Sequence, residues 1–219
     1  MHFKAIIFDL DGTLLDTLED IGDSLNRVLE KMGFPVHKID TYRYLVGDGV
    51  PMLVKRALPE SKRNDENIRA CTQEFREDYR QNWNVKTRPY DGIAEMLDSL
   101  TAHGIKMAVL SNKPDYYTKR CVTELLPDWN FDIVLGQRDA FPQKPDPAGA
   151  MEIADYLKIL PEEFLYLGDT SVDMNTATAA NMFAVGALWG FRTKEELLEN
   201  GAKVVIKKPQ DIMGVLNNI

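Results

Sequence analysis

The stretch Phe3-Lys4-Ala5-Ile6-Ile7-Phe8-Asp9-Leu10-Asp11-Gly12-Thr13, with its β-type run at Phe3–Phe8, decides how the rest of the chain is read. A short apolar β-type run ends abruptly in two carboxylates and a glycine. Comparable runs recur at Lys106–Leu110, Ile133–Leu135, Phe164–Leu167, Met182–Val185 and Val204–Ile206. Helical patterns separate them: Ile93, Met96, Leu97 and Leu100 fall at i, i+3, i+4 and i+7, and Gly104 ends that helix. Asp146-Pro147 supplies an N-cap and first-turn pair for another helix through Met151 and Ala154. Strands alternating with helices predict an α/β fold, a parallel sheet covered by helices.

One segment departs from the alternation. From about Asp16 to Trp83 only helical periodicity is found. Ile21, Leu25, Val28, Leu29 and Met32 form one stripe, closed by Gly33. Ile68, Cys71, Phe75 and Tyr79 form another, and between the two lie the loop Val46-Gly47-Asp48-Gly49 and a short helix near Leu53–Leu58. The chain therefore reads as a core domain, 1–15 and 85–219, with a helical insertion at 16–84.

Open parallel sheets bind ligands beyond the carboxyl ends of their strands. Asp9-Leu10-Asp11-Gly12-Thr13 follows the first run, and Ser111-Asn112-Lys113 follows the Met107–Leu110 run. Gly168-Asp169-Thr170-Ser171-Val172-Asp173 follows Leu165–Leu167, and Gln143-Lys144-Pro145-Asp146 precedes a helix. Asp9 and Asp11 start on the same side of their strand, and two close carboxylates need an offsetting charge. A divalent cation provides one, with Asp169 completing an oxygen shell; few all-oxygen ligands suit Mg²⁺ better than zinc. Singly, each cluster reads as a solvated turn, a helix cap or a surface lysine. Together, each at one edge of the sheet, they form a phosphate-binding arrangement.

Composition narrows the field. Acidic residues outnumber basic ones 34 to 26, for a net charge of −8, which argues against a general nucleic-acid surface. Cys71 and Cys121 are too few for a disulfide framework and read as buried thiols. The first apolar run meets Asp9 and Asp11 at once, so it builds no secretory h-region, and no later run approaches the ~20 residues of a membrane span. A cytoplasmic chain with no membrane or nucleic-acid partner is expected. His2, His37 and His103 form no metal pair, and neither a Gly-x-Ser-x-Gly elbow nor a P-loop occurs.

With Asp9-Leu10-Asp11-Gly12-Thr13-Leu14-Leu15-Asp16-Thr17, Ser111-Asn112, Lys144-Pro145 and Gly168-Asp169…Asp173 in place, the chain resembles the haloacid dehalogenase-like superfamily along essentially its whole length. Arg43, Val46–Gly49, Arg56-Ala57-Leu58 and Ser111-Asn112-Lys113-Pro114 resemble its phosphoglycolate phosphatase-like branch. The resemblance implies a Rossmann-like core with a helical cap domain at 16–84. It also implies Asp9 as nucleophile and Asp11 as acid, then base, in hydrolysis of a small phosphomonoester through an aspartyl-phosphate. Mg²⁺ would be held by Asp9, the backbone carbonyl of Asp11 and Asp169, with Asp173 close by. Ser111, Asn112 and Lys144 would serve the phosphoryl group, with Thr13 steadying the Asp9 loop. Arg43 and Arg56 are candidates for a substrate carboxylate, which Asp48 would repel unless it points away. A phosphosugar mutase, a pyrophosphatase, a broad sugar-phosphate phosphatase and a catalytically silent binding protein are the alternatives. The chain is expected as a monomer or homodimer.

Overall fold

The computed structural model describes residues 3–139 and 141–218; His2 lies outside them. The chain forms two compact units, one of residues up to Leu15 together with Pro89 onward, the other Asp16–Arg88. Two-residue strands, β2 at Leu15–Asp16 and β3 at Arg88–Pro89, mark where the chain passes from one unit to the other.

In the first unit, β1 (Ala5–Phe8), β4 (Lys106–Pro114), β5 (Ile133–Gln137), β6 (Phe164–Gly168), β7 (Phe183–Ala187) and β8 (Val204–Ile206) form a six-stranded sheet ordered β5-β4-β1-β6-β7-β8. Every pairing within it is parallel. Ala5, Ile7, Ala108, Phe164, Tyr166 and Ala184 enter one apolar cluster with Ile153, Ala154, Met174 and Ala177 from the helices. Ile6 and Phe8 are equally buried and, by strand alternation, face the other side. A sheet covered on both faces explains why its strands are continuous apolar runs rather than alternating ones.

The topology positions the site. From β1 the chain moves outward through β4 to β5, then returns to the other flank of β1 for β6, β7 and β8. The strand order reverses at β1, and the carboxyl ends of β1, β4 and β6 meet at that switch point.

Several boundaries differ from the sequence reading: β1 begins at Ala5 rather than Phe3, β5 runs on to Gln137, β7 spans Phe183–Ala187, and α2 spans Gly49–Ala57. Strand β4 continues to Pro114, through Ser111, Asn112 and Lys113, with a register shift between Leu110 and Pro114. These residues are polar yet buried, and hydropathy alone ends the strand too early. Helix α6 spans Ala148–Leu157, so Pro147, not Asp146, is its N-cap residue. Asp146 still serves that end, its Oδ1 accepting from the Ala148 N–H at 2.9 Å.

The second unit contains α1 (Leu18–Lys31), α2 (Gly49–Ala57) and α3 (Asp65–Asn82). Ile21, Leu25, Val28 and Leu29 make the buried stripe of α1, and Cys71, Phe75 and Tyr79 that of α3. The Asn64 side chain caps α3 by accepting from Asn67 N–H at 2.9 Å. Buried Asp20 accepts from Lys86 N–H at 2.9 Å, and from Thr87 N–H and Thr87 Oγ1 at 2.8 Å each, fastening the end of this unit to its first helix. Cys71 and Cys121 are free and buried, and burial pushes the Cys121 thiol up to about 11. Among the described residues no helix is long and apolar enough to cross a membrane.

Candidate active site

Asp9 follows β1 directly, and its N–H donates to Leu167 O of the neighbouring strand at 2.9 Å. Asp169 follows β6 and Asp173 lies in the first turn of α7 (Ser171–Ala179). Ligand oxygens of Asp9, Asp169 and Asp173 all lie within 4.8 Å of one another, and all three side chains are buried. One ammonium enters this group. Lys144 Nζ donates to Asp9 Oδ1 at 2.8 Å, to Asp173 Oδ1 at 2.7 Å and to Leu110 O at 3.1 Å. All three of its donors are thereby engaged. Burial disfavours its charge, but Asp173 and Asp9 outweigh that and hold Lys144 protonated.

Three carboxylates against one ammonium leave excess negative charge in a dry place. Burial, then the charge of Asp173, pushes Asp9 up to about 7, although Lys144 pulls it down. Asp169 is raised well above the usual carboxylate range by burial, Asp9 and Asp173. Such a cluster is stabilised by a cation with oxygen preference, and the donor set, carboxylates without His or Cys, fits one.

The partners of Asp169 and Asp173 define their roles further. Thr13, fully buried, donates its hydroxyl proton to Asp169 Oδ1 at 3.0 Å. Asp173 Oδ2 accepts from Thr170 N–H at 3.1 Å and Thr170 Oγ1 at 2.7 Å, so both of its oxygens are engaged and it orients Lys144. Asn112 fixes the Lys144 backbone reciprocally: its Nδ2 donates to Lys144 O at 3.0 Å, and its Oδ1 accepts from Lys144 N–H at 2.9 Å. Ser111 is buried, its Oγ accepting from Lys113 N–H at 3.2 Å.

Asp11 stands apart from the three-acid group. Its Oδ1 accepts from Lys113 Nζ at 2.9 Å, with side chains 13% and 5% exposed respectively. The side-chain oxygens that lie closest together are those of Asp9, Asp169 and Asp173, while the Asp11 carboxylate is paired with Lys113. Nothing in the spacing of the strand-end residues indicates that pair.

The segment after β7 is also part of the site. Phe191 N–H donates to Asp169 Oδ2 at 2.7 Å, and Trp189 Nε1 donates to Thr13 O at 2.9 Å. Gly12, at φ +92°, and Gly190 both approach so closely that a Cβ on either would overlap the Asp169 carboxylate.

Arg43 and Arg56 lie in the helical unit. Arg43 Nε pairs with Asp40 Oδ1 at 2.8 Å. Arg56 pairs with Asp48 at 2.5 Å and donates from Nη1 to Leu45 O at 3.1 Å. The negative charge of Asp48 is therefore matched inside its own unit.

The haloacid dehalogenase-like hydrolase family matches residues 6–187. A phosphoglycolate phosphatase of Aquifex aeolicus is 29% identical over 215 residues, covering 98% of this chain and 97% of that protein. One from Psychrobacter arcticus is 32% identical over 205 residues, covering 90% of this chain and 88% of its own length. A crystal structure from Lactobacillus delbrueckii subsp. bulgaricus superposes with a TM-score of 0.94 at 28% identity, over 100% of both chains. With acids and lysine gathered at the switch point of the sheet, and with these likenesses spanning the whole chain, the protein belongs to the haloacid dehalogenase-like hydrolase family.

Proposed function

We propose that the protein is a Mg²⁺-dependent phosphoric monoester hydrolase working through an aspartyl-phosphate on Asp9, with 2-phosphoglycolate as the leading substrate. The observation that carries this reading is the Lys144 ammonium between Asp9 and Asp173, with Asp169 alongside. A buried Asp9 oxygen beside a fixed positive charge and two further acids supports the reading of Asp9 as nucleophile and of the acids as a cation site. The relatives named phosphoglycolate phosphatase, from Aquifex and Psychrobacter among others, support the substrate.

The chain's own residues divide the work. An Asp9 oxygen forms a bond to phosphorus as the ester P–O bond breaks, its electron pair leaving on the alcohol oxygen, which Asp11 protonates. Water then attacks the phosphorus, Asp11 takes its proton, and the Asp9–phosphorus bond breaks to release inorganic phosphate. Lys144, exchanging one of its present acceptors, and the Ser111 hydroxyl serve the phosphoryl oxygens, Asn112 and Asp173 hold Lys144, and Thr13 holds Asp169. Mg²⁺, held by Asp9, Asp169 and the Asp11 carbonyl, would neutralise charge on the phosphoryl group. A substrate carboxylate would compete with Asp40 for Arg43 and with Asp48 for Arg56.

Phosphate release from a panel of 2-phosphoglycolate, hexose phosphates, p-nitrophenyl phosphate and pyrophosphate tests the reading. Turnover of small monoesters, dependent on Mg²⁺ and lost in Asp9→Asn, is expected. Release from no ester overturns the reaction class, and full activity in Asp9→Asn overturns the nucleophile.

A further inference from the structure

We infer that the turn Trp189-Gly190-Phe191 is a positioning element for the cation site, acting through Asp169. The inference rests on the reading of the acid cluster as a cation site. Its starting point is that both oxygens of Asp169 are held by residues distant in sequence from it. Phe191 N–H meets Oδ2 and Thr13 Oγ1 meets Oδ1. The Trp189 indole N–H in turn anchors Thr13 through its carbonyl. One turn thus grips the carboxylate directly through a backbone amide and indirectly through Thr13.

Gly190 supplies the third contact. Its φ lies outside the left-handed region, so its backbone conformation is one alanine adopts, unlike that of Gly12. What excludes a side chain there is space, because an added Cβ would overlap Asp169 Cβ, Cγ and Oδ2. The carboxylate is therefore packed between two glycines, Gly12 and Gly190, and its plane is set by the two hydrogen bonds. Each carboxylate oxygen has a lone pair beyond the one its hydrogen bond uses. A fixed orientation is what such groups contribute to metal affinity, since hydrogen-bond partners of ligands commonly change it by about 10–100-fold. The turn carries no titratable side chain, and its contribution includes a main-chain N–H, an indole N–H and the space left by a missing methyl group.

The test is a Mg²⁺ titration of the whole chain by calorimetry at one pH, for wild type, Gly190→Ala and Trp189→Phe. Thermal midpoints in EDTA, taken in parallel, report fold stability separately. The expected result is an affinity at least about tenfold weaker in Gly190→Ala. Trp189→Phe, which keeps the ring and removes only the indole N–H, is expected to weaken binding about threefold, scaled down from the range for direct partners. Wild-type affinity in a folded Gly190→Ala overturns the inference. Should Gly190→Ala not fold, wild-type affinity in Trp189→Phe overturns it instead. Absence of Mg²⁺ binding by the wild-type chain overturns both this inference and the cation reading, whereas Mg²⁺ binding by wild type with undiminished affinity in the variants overturns this inference and leaves the cation reading standing.

Discussion

At Asp9 the physical cost of the site is concentrated. Its carboxyl lies near 7 against an ordinary 3.8, so between those values the folded chain holds a proton that the unfolded chain has released. Its contribution to stability is therefore complete below about 3.8 and disappears as pH rises through about 7. In EDTA the thermal midpoint of the wild type is expected to fall between pH 5 and pH 8 partly for this reason, and Asp9→Asn should flatten that decline. Equal slopes for the two proteins would refute the assignment. Lys113 offers a second check. Its replacement by methionine leaves the Asp11 carboxylate without its ion pair, and kcat/KM for an alkyl phosphate is expected to drop by at least about tenfold, given the rate factors of acid–base groups. Undiminished kcat/KM in Lys113→Met would show that Asp11 needs no such support.

The residues of the site differ in how plainly the amino-acid sequence displays them. Asp9, Lys144 and Asp169 are titratable, sit beside apolar runs or helix starts, and are recognisable by chemistry and position. Lys113 stands in full view next to Ser111-Asn112, yet its partner Asp11 is distant in sequence and comes near only through the β1–β4 pairing. Gly190 and Phe191 act through backbone and vacant space, which leave no signature in charge or hydropathy.

Among the elements, strand β4 and helix α1 teach opposite lessons. Strand β4 carries the candidate residues Ser111, Asn112 and Lys113 within the strand, its last buried positions being polar and the strand pairing onward to β5 at Pro114 and Gln137. Local propensity cannot see that continuation, since it depends on a neighbouring strand. Helix α1 is legible from its periodicity alone, and its buried stripe follows the apolar positions of the sequence. What periodicity omits is Asp20, an acid inside that stripe's neighbourhood and only 3% exposed. Its carboxylate accepts from two backbone amides and one hydroxyl of Lys86 and Thr87. Asp20→Ala leaves those donors unsatisfied, with an expected loss of about 2–4 kcal/mol, measured by urea denaturation. A loss within error of zero would mean that water replaces the carboxylate. The ion pairs Arg27–Asp78 and Lys31–Glu74, about half-exposed on their basic sides, are expected to contribute little by comparison.

For the molecule as a whole, the unbalanced acids couple cation binding to stability. Asp9 and Asp169 are both raised by burial and mutual repulsion, so a divalent cation has protons to displace at low pH and few at high pH. Added Mg²⁺ should raise the thermal midpoint more at pH 8 than at pH 5. The same rise at both values would dissociate the ion from these carboxylates. The parallel sheet is legible in the sequence because its apolar runs are separated by helical patterns. The order of its strands is not, since hydropathy does not say on which flank of β1 the chain resumes after β5.

That order has a consequence for how the protein is made. Strand β1 is central, but its first neighbour is Lys106–Val109 and its second Phe164–Leu167. During synthesis the apolar run Ala5–Phe8 leaves the ribosome before either partner strand and stays unpaired until the first of them has followed it, while Asp16–Arg88 has its own contacts ready sooner. A nascent chain released before residue 106 therefore carries a naked sheet strand with both edges open to mispairing.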